Sequence, residues 1–179
     1  MKRVCFLQQR LCIALIVLGV VVSPQALAED VRLDHRGSIG LLLSTGAEYK
    51  AGIIGGVVQN GARLPAHVGA TMAIGHNGNE LKLQFDSSWL GPAPDLGVSF
   101  GYRGYFPVDP IKTFFDADIG FRFYDRLTVG PEIGFGLQYE LSSVIGVFST
   151  VRAKFGFGQG LRLGAELLVG LQVRTYVLE

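Results

Sequence analysis

Asp116, Asp118, Glu132 and Glu166 are the carboxylates best placed to work as a general acid and base. Three histidines, His35, His67 and His76, and three serines, Ser44, Ser87 and Ser88, complete the inventory of groups able to act on an acyl bond. A serine hydrolase needs one of each held together. The serines are expected near one end of their strands, whereas the histidines are expected deeper or toward the opposite end. No histidine pair has metal-ligand spacing and no phosphate-binding loop occurs, so no metal and no cofactor is expected.

The carboxylates are better explained by their company. Lys82, Asp86, Arg103, Asp116, Asp118, Arg122, Glu132, Arg152, Lys154, Arg162, Glu166 and Arg174 all lie on the polar side of stretches in which every second residue is apolar. From Ile111 onward the odd positions include Ile111, Phe115, Ile119, Phe121, Ile133, Phe135, Leu137, Val151, Leu163, Leu167 and Leu171, and the two charges at odd positions, Asp125 and Glu179, fall at a turn and at the chain end. A period of two places alternate side chains on opposite faces of a sheet. These stretches are therefore strands, and their acids and bases are expected to form ion pairs rather than a reaction centre.

Turn residues divide the chain into eight such strands, at about 36 to 46, 64 to 76, 79 to 90, 96 to 106, 111 to 124, 126 to 140, 143 to 156 and 161 to 176. An even number of strands, each long enough to cross a bilayer, predicts an all-β, eight-stranded antiparallel up-and-down transmembrane β-barrel. Short connections after residues 76, 106 and 140 fall on one side. The other side receives residues 47 to 63, residues 91 to 95 and two short turns. The 47 to 63 segment reads as the one long connection, with Ile53, Ile54, Val57 and Val58 available to extend the wall.

Alternation does not say which face looks inward, but three features do. Glycines such as Gly101, Gly120, Gly134, Gly136 and Gly164 crowd the charged face, where a narrow interior needs small residues beside long ones. Acids and bases on that face nearly balance, and with three-residue turns Arg152 would lie opposite both Glu132 and Glu166. Aromatics on the apolar face gather near strand ends: Trp89, Phe121, Phe123, Phe155 and Phe157 at one rim, Phe106, Phe115 and Tyr139 at the other. The apolar face is thus expected to meet lipid.

The start of the chain points to the same compartment. Lys2, Arg3 and Arg10 precede an apolar run from Leu11 to Val22, followed by Ala26, Leu27 and Ala28, the layout of a secretory signal peptide cleaved near Ala28. Residues 29 to 179 would then be the barrel domain. Cleavage removes both cysteines, Cys5 and Cys12, and leaves 13 bases against 15 acids. No basic patch suggests nucleic acid.

Together, the signal peptide, eight alternating segments and filled polar interior make the chain resemble the small outer-membrane β-barrels of Gram-negative bacteria, such as the transmembrane domain of outer-membrane protein A and OmpX. The resemblance implies a location in the outer membrane, with membrane lipid, lipopolysaccharide and the assembly machinery as partners, and a possible surface ligand at the outer loops. It also implies a terminal aromatic residue, from which this chain departs: it ends Tyr176, Val177, Leu178, Glu179. The expected role is non-enzymatic, structural or surface-interacting, with a plugged lumen. A narrow pore gated around Arg152 and a lipid A-modifying enzyme are the alternatives.

Overall fold

The computed structural model describes residues 37–54, 56–74, 78–89, 95–108, 111–123, 127–158 and 160–176. The predicted signal peptide, His35, His76, most of the 91 to 95 loop, the turn at 124 to 126 and the last three residues lie outside the described residues. The strands are β1 (Ser38–Ile54), β2 (Val57–Ile74), β3 (Asn79–Trp89), β4 (Asp95–Val108), β5 (Ile111–Arg122), β6 (Thr128–Glu140), β7 (Ile145–Gly158) and β8 (Gly160–Tyr176). Each pairs antiparallel with its neighbours in sequence, and β1 pairs with β8, which closes the barrel. Closure gives every strand two hydrogen-bonding partners, so no sheet edge is left along the shared length.

The register can be followed once around the wall. Gly40 faces Thr71, then Lys82, Gly101, Asp118, Glu132, Lys154 and Gly164, and the path returns to β1 at Lys50, ten residues from its start. Such a stagger is what tilts the strands of a closed barrel. It also carries Lys82, Asp118, Glu132 and Lys154 along one continuous path inside the wall.

Burial follows the pleat. On β5 the even-numbered residues from Lys112 to Gly120 are buried, while most odd-numbered side chains between them face out. Ile119, Ile133, Phe135, Val151 and Leu167 are all about half exposed or more on the outside, and Lys82, Arg103, Asp116 and Arg152 are almost wholly buried inside. Inside and outside are inverted relative to a water-soluble protein, the arrangement expected when the solvent is lipid.

Two expectations are corrected. Residues 47 to 63 are not a loop: β1 runs on to Ile54 and β2 begins at Val57, with a tight turn containing Gly56 at φ 82°. The extension is held from the other side too, because β8 pairs with β1 as far as Ile54 opposite Gly160. Arg152 faces Glu166, as three-residue turns imply, but on the other side it faces Gly134, while Glu132 faces Lys154. Glu140 pairs with Gly146, so five residues rather than three separate the paired ends of β6 and β7, which moves the alignment by two.

Proline marks the two places where the ladder is interrupted. The β1–β2 register skips Gly46 and Ala47, across from Pro65, and the β6–β7 register skips Gly130 and Pro131. Proline has no N–H to donate. At the first gap Thr45 Oγ1 donates to the Pro65 carbonyl at 2.8 Å.

Gly101 shows why small residues line the interior. A Cβ there would overlap the Asp118 carboxylate and the Ala117 carbonyl. Gly101→Val is expected to destabilise the barrel by roughly 1 to 3 kcal/mol through overpacking, measured by urea unfolding in lipid vesicles. An unchanged midpoint would show that the wall can yield at this point.

Candidate functional site

The lumen is filled in tiers. At the end nearest Ser38 and Tyr176, Arg174 lies 3.2 Å from Glu80 and 3.0 Å from Glu140. Gln172 Nε2 donates to Glu80 at 2.8 Å and to Thr71 at 3.0 Å, and the Tyr105 hydroxyl sits 3.2 Å from Glu80, Gln138 and Gln172. Above this tier comes an apolar layer made of Leu42, Tyr105, Phe114 and Phe148. Phe114 meets Tyr105 edge-on at 5.9 Å and Phe148 at 6.2 Å between ring centroids.

Cross-strand glycines make space for the rings. Phe114 faces Gly136 and Phe148 faces Gly170, and a Cβ at Gly170 would come within 2.5 Å of the Phe148 ring. The Arg103 guanidinium lies over Phe114, 4.0 Å from its centroid, and so caps the apolar layer with a cation–π contact.

The middle tier holds Arg103, Asp116, Lys82 and Asp118. Arg103 grips Asp116 with both prongs, Nε to Oδ1 at 2.8 Å and Nη2 to Oδ2 at 3.0 Å. Lys82 Nζ lies 2.8 Å from both Asp116 and Asp118. Arg152 sits 3.6 Å from Asp116, 3.7 Å from Glu132 and 4.0 Å from Glu166, and donates to Gln84 at 3.3 Å.

In the outer tier Arg122 pairs with Asp86 at 2.6 Å and hydrogen-bonds Glu132, while Lys154 hydrogen-bonds Glu166. Bidentate and charge-assisted contacts of this kind fix side chains in a dry interior. Lys82, Asp86, Arg103, Asp116, Asp118, Arg122, Glu132, Arg152, Lys154, Glu166 and Arg174, all singled out in the sequence, thus each meet an opposite charge within 4 Å. Arg162 is half-buried at the mouth beside Gly156 and Gly164.

Sequence reasoning missed several members of this interior. Glu48 and Lys50 fall in the segment that reads as a loop, yet both lie on β1 with the inward parity of Leu42 and Ser44. Lys50 contacts Glu48 at 3.2 Å, hydrogen-bonds Asp95 and donates to Ser88 at 3.1 Å. His67 lies against Asp86 through Nδ1, with Nε2 3.6 Å from Glu166. Phe114, Phe148 and Tyr105 share the inward parity of the charged residues, and all three are buried in the lumen.

This geometry bears on catalysis. Ser88 receives a hydrogen bond from an ammonium that two carboxylates already engage, so Lys50 acts as a donor to it rather than as a base. Ser87 faces outward and accepts from Trp89 Nε1 at 3.1 Å. Ser44 lies opposite His67 in the register, but both ring nitrogens of His67 face carboxylates.

One motif escapes the reading of serines by strand end: Gly97, Val98, Ser99, Phe100 and Gly101 have the Gly-x-Ser-x-Gly spacing of a nucleophile elbow. An elbow needs a sharp turn from strand to helix. Here the residues lie within β4, Ser99 is wholly buried, and the flanking glycines give room to Arg122 and Asp118.

No protein family and no curated relative matches the sequence. Solved structures do match the fold. Neisserial surface protein A aligns with a TM-score of 0.56 at 10% identity, over 74% of this chain and 96% of that one. The N-terminal β-barrel domain of Pseudomonas aeruginosa OprF gives 0.53 at 12% identity, over 78% and 98% of the two chains. OprG from the same organism gives 0.51 at 8% identity, over 83% and 100%. The chain has the fold of the small eight-stranded outer-membrane β-barrels.

Proposed function

We propose that the mature chain is a non-enzymatic β-barrel of the Gram-negative outer membrane, exported with cleavage near Ala28, whose lumen passes no solute and whose role is structural or surface-interacting. The observation that carries this reading is the apolar layer of Leu42, Tyr105, Phe114 and Phe148, backed by the fork of Arg103 on Asp116. A conducting pore keeps a continuous polar, hydrated path, whereas here buried aromatic rings cross the interior. Membrane lipid and lipopolysaccharide would contact the outward apolar belt, and the assembly machinery would insert it.

The test is electrical. Purified wild-type barrel in planar lipid bilayers is expected to give no steady single-channel current, and Arg152→Ala is expected to give none either, because the aromatic layer remains. Stable unitary currents from the wild type would overturn the closed-lumen reading. Heat-modifiable electrophoretic mobility in the outer-membrane fraction is the expected companion result, and its absence would count against the location.

A further inference from the structure

We propose that the outer part of β2 is a docking edge for an extended peptide segment of another protein, which adds to the sheet as one more strand. The β1–β2 ladder runs unbroken from Glu48 opposite Arg63 to Ile54 opposite Val57. On its other side β2 meets β3 only from Leu64, opposite Trp89, toward Ile74, because β3 ends at Trp89 and β4 begins at Asp95. β1 itself is covered by β8 as far as Ile54. Among the described residues, Val57 to Ala62 are therefore the part of this hairpin that is paired on one side alone.

Every second residue of such an edge turns its backbone N–H and C=O away from the sheet. Hydrocarbon cannot satisfy those groups, so acyl chains do not cover the edge, and it belongs in water or against another strand. Natural sheets blunt an exposed edge with a charge, a proline or a bulge. Val57, Val58, Gln59, Asn60, Gly61 and Ala62 include no charge and no proline, and the unbroken ladder with β1 leaves no bulge. A Cβ at Gly61 would meet no atom within 4 Å, so the face of the sheet is open here too.

Two nearer occupants fit less well. The connection after Trp89 carries Pro92 and Pro94, neither of which has an N–H to donate. A second copy that paired the same edge antiparallel would be related by a twofold axis perpendicular to the sheet. Where the hairpin continues the barrel wall, that axis lies in the membrane plane and turns the second barrel upside down. An extended segment of another protein carries no such constraint.

Main-chain hydrogen bonds supply the affinity of an added strand, and alternate side chains its specificity. Val58, Asn60 and Ala62 are exposed on the outward face. The segment that fits therefore sets uncharged, β-branched side chains beside them at every second position.

The probe is the acetylated and amidated peptide Lys-Thr-Val-Thr-Val-Thr-Lys, titrated into the mature barrel in nanodiscs. NMR follows the backbone amides of residues 57 to 62 and their exchange with water. In the free barrel alternate amides are expected to exchange quickly, and the peptide is expected to slow them and shift them saturably. The same peptide N-methylated at every residue between its lysines has lost the donors and should bind about tenfold more weakly or worse. Val58→Lys sets a charge beside the incoming strand and should weaken binding several-fold in a barrel that still folds, because Val58 is 69% exposed.

Silence from the peptide or equal binding of its N-methylated form would overturn the proposal. So would edge amides already protected in the free barrel, which would mean that the chain's own connection covers them, or protection that grows with protein concentration in detergent, which would mean that a second copy does. The inference rests on the reading that this end projects from the outer face. Labelling of Val58→Cys in intact cells by a membrane-impermeant maleimide tests that reading by itself: an unlabelled cysteine overturns the sidedness, and a labelled one without peptide binding overturns the docking edge.

Discussion

Asp116→Ala is expected to cost the barrel roughly 3 to 5 kcal/mol, the range for stranding buried charges without their partner. One carboxylate holds the fork of Arg103, lies 2.8 Å from Lys82 and 3.6 Å from Arg152, and is itself wholly buried. Removing it leaves Lys82 with Asp118 and takes from Arg103 both hydrogen bonds of its fork. The measurement is urea unfolding of protein folded into lipid vesicles, followed by Trp89 fluorescence. Arg103→Met combined with Asp116→Leu removes both charges of the fork and should recover much of the loss, since a buried pair replaced by apolar groups of similar size can be close to neutral. A single substitution that leaves stability unchanged would mean that water reaches the middle tier and screens it.

Ile133→Arg tests the opposite face of the same wall. Ile133 lies in the middle of β6, half exposed on the outside, with Ala117 and Ala153 as its cross-strand neighbours. An arginine near the bilayer midplane is expected to lower folding stability by about 2 to 4 kcal/mol, whereas one near an interface costs about 0 to 1. Leu161→Arg, near the outer end of β8 opposite Ile53, supplies the interfacial comparison. Equal penalties at both positions would contradict a lipid-facing belt with its midplane near Ile133. In a water-soluble barrel either change would be nearly silent.

How much of this was legible in the sequence depended on the range of the forces involved. Inward and outward parity is local, so the placement of Lys82, Arg103, Asp116 and Arg152 could be read from the residues on either side of each. The continuation of β1 could not. Gly46, Gly52, Gly55, Gly56 and Gly61 together with Pro65 carry the composition of a loop, and it is pairing with β2 on one side and with β8, more than a hundred residues away, on the other that makes Glu48 and Lys50 part of the wall.

The alignment of Arg152 needed a turn length, and five residues instead of three between Glu140 and its partner Gly146 moved Glu132 next to Lys154. The aromatic layer was hidden for another reason. Phe114 and Phe148 have inward parity but apolar character, and what permits them inside is a glycine on the next strand, a relation that exists only once the register is known.

The ladder between β1 and β8 has a kinetic meaning as well. Every other pairing in the wall joins strands that follow one another along the chain, so each can form as a hairpin with little loop entropy to overcome. The β1–β8 ladder, from Ser38 opposite Tyr176 to Ile54 opposite Gly160, joins the two ends of the sheet and cannot form cheaply until the strands between them are in place. It is therefore the natural last seam of assembly. Because Ser38 and Tyr176 lie side by side, a short linker between them would turn that seam into one more hairpin, and the chain could then be opened at another turn without changing the finished wall.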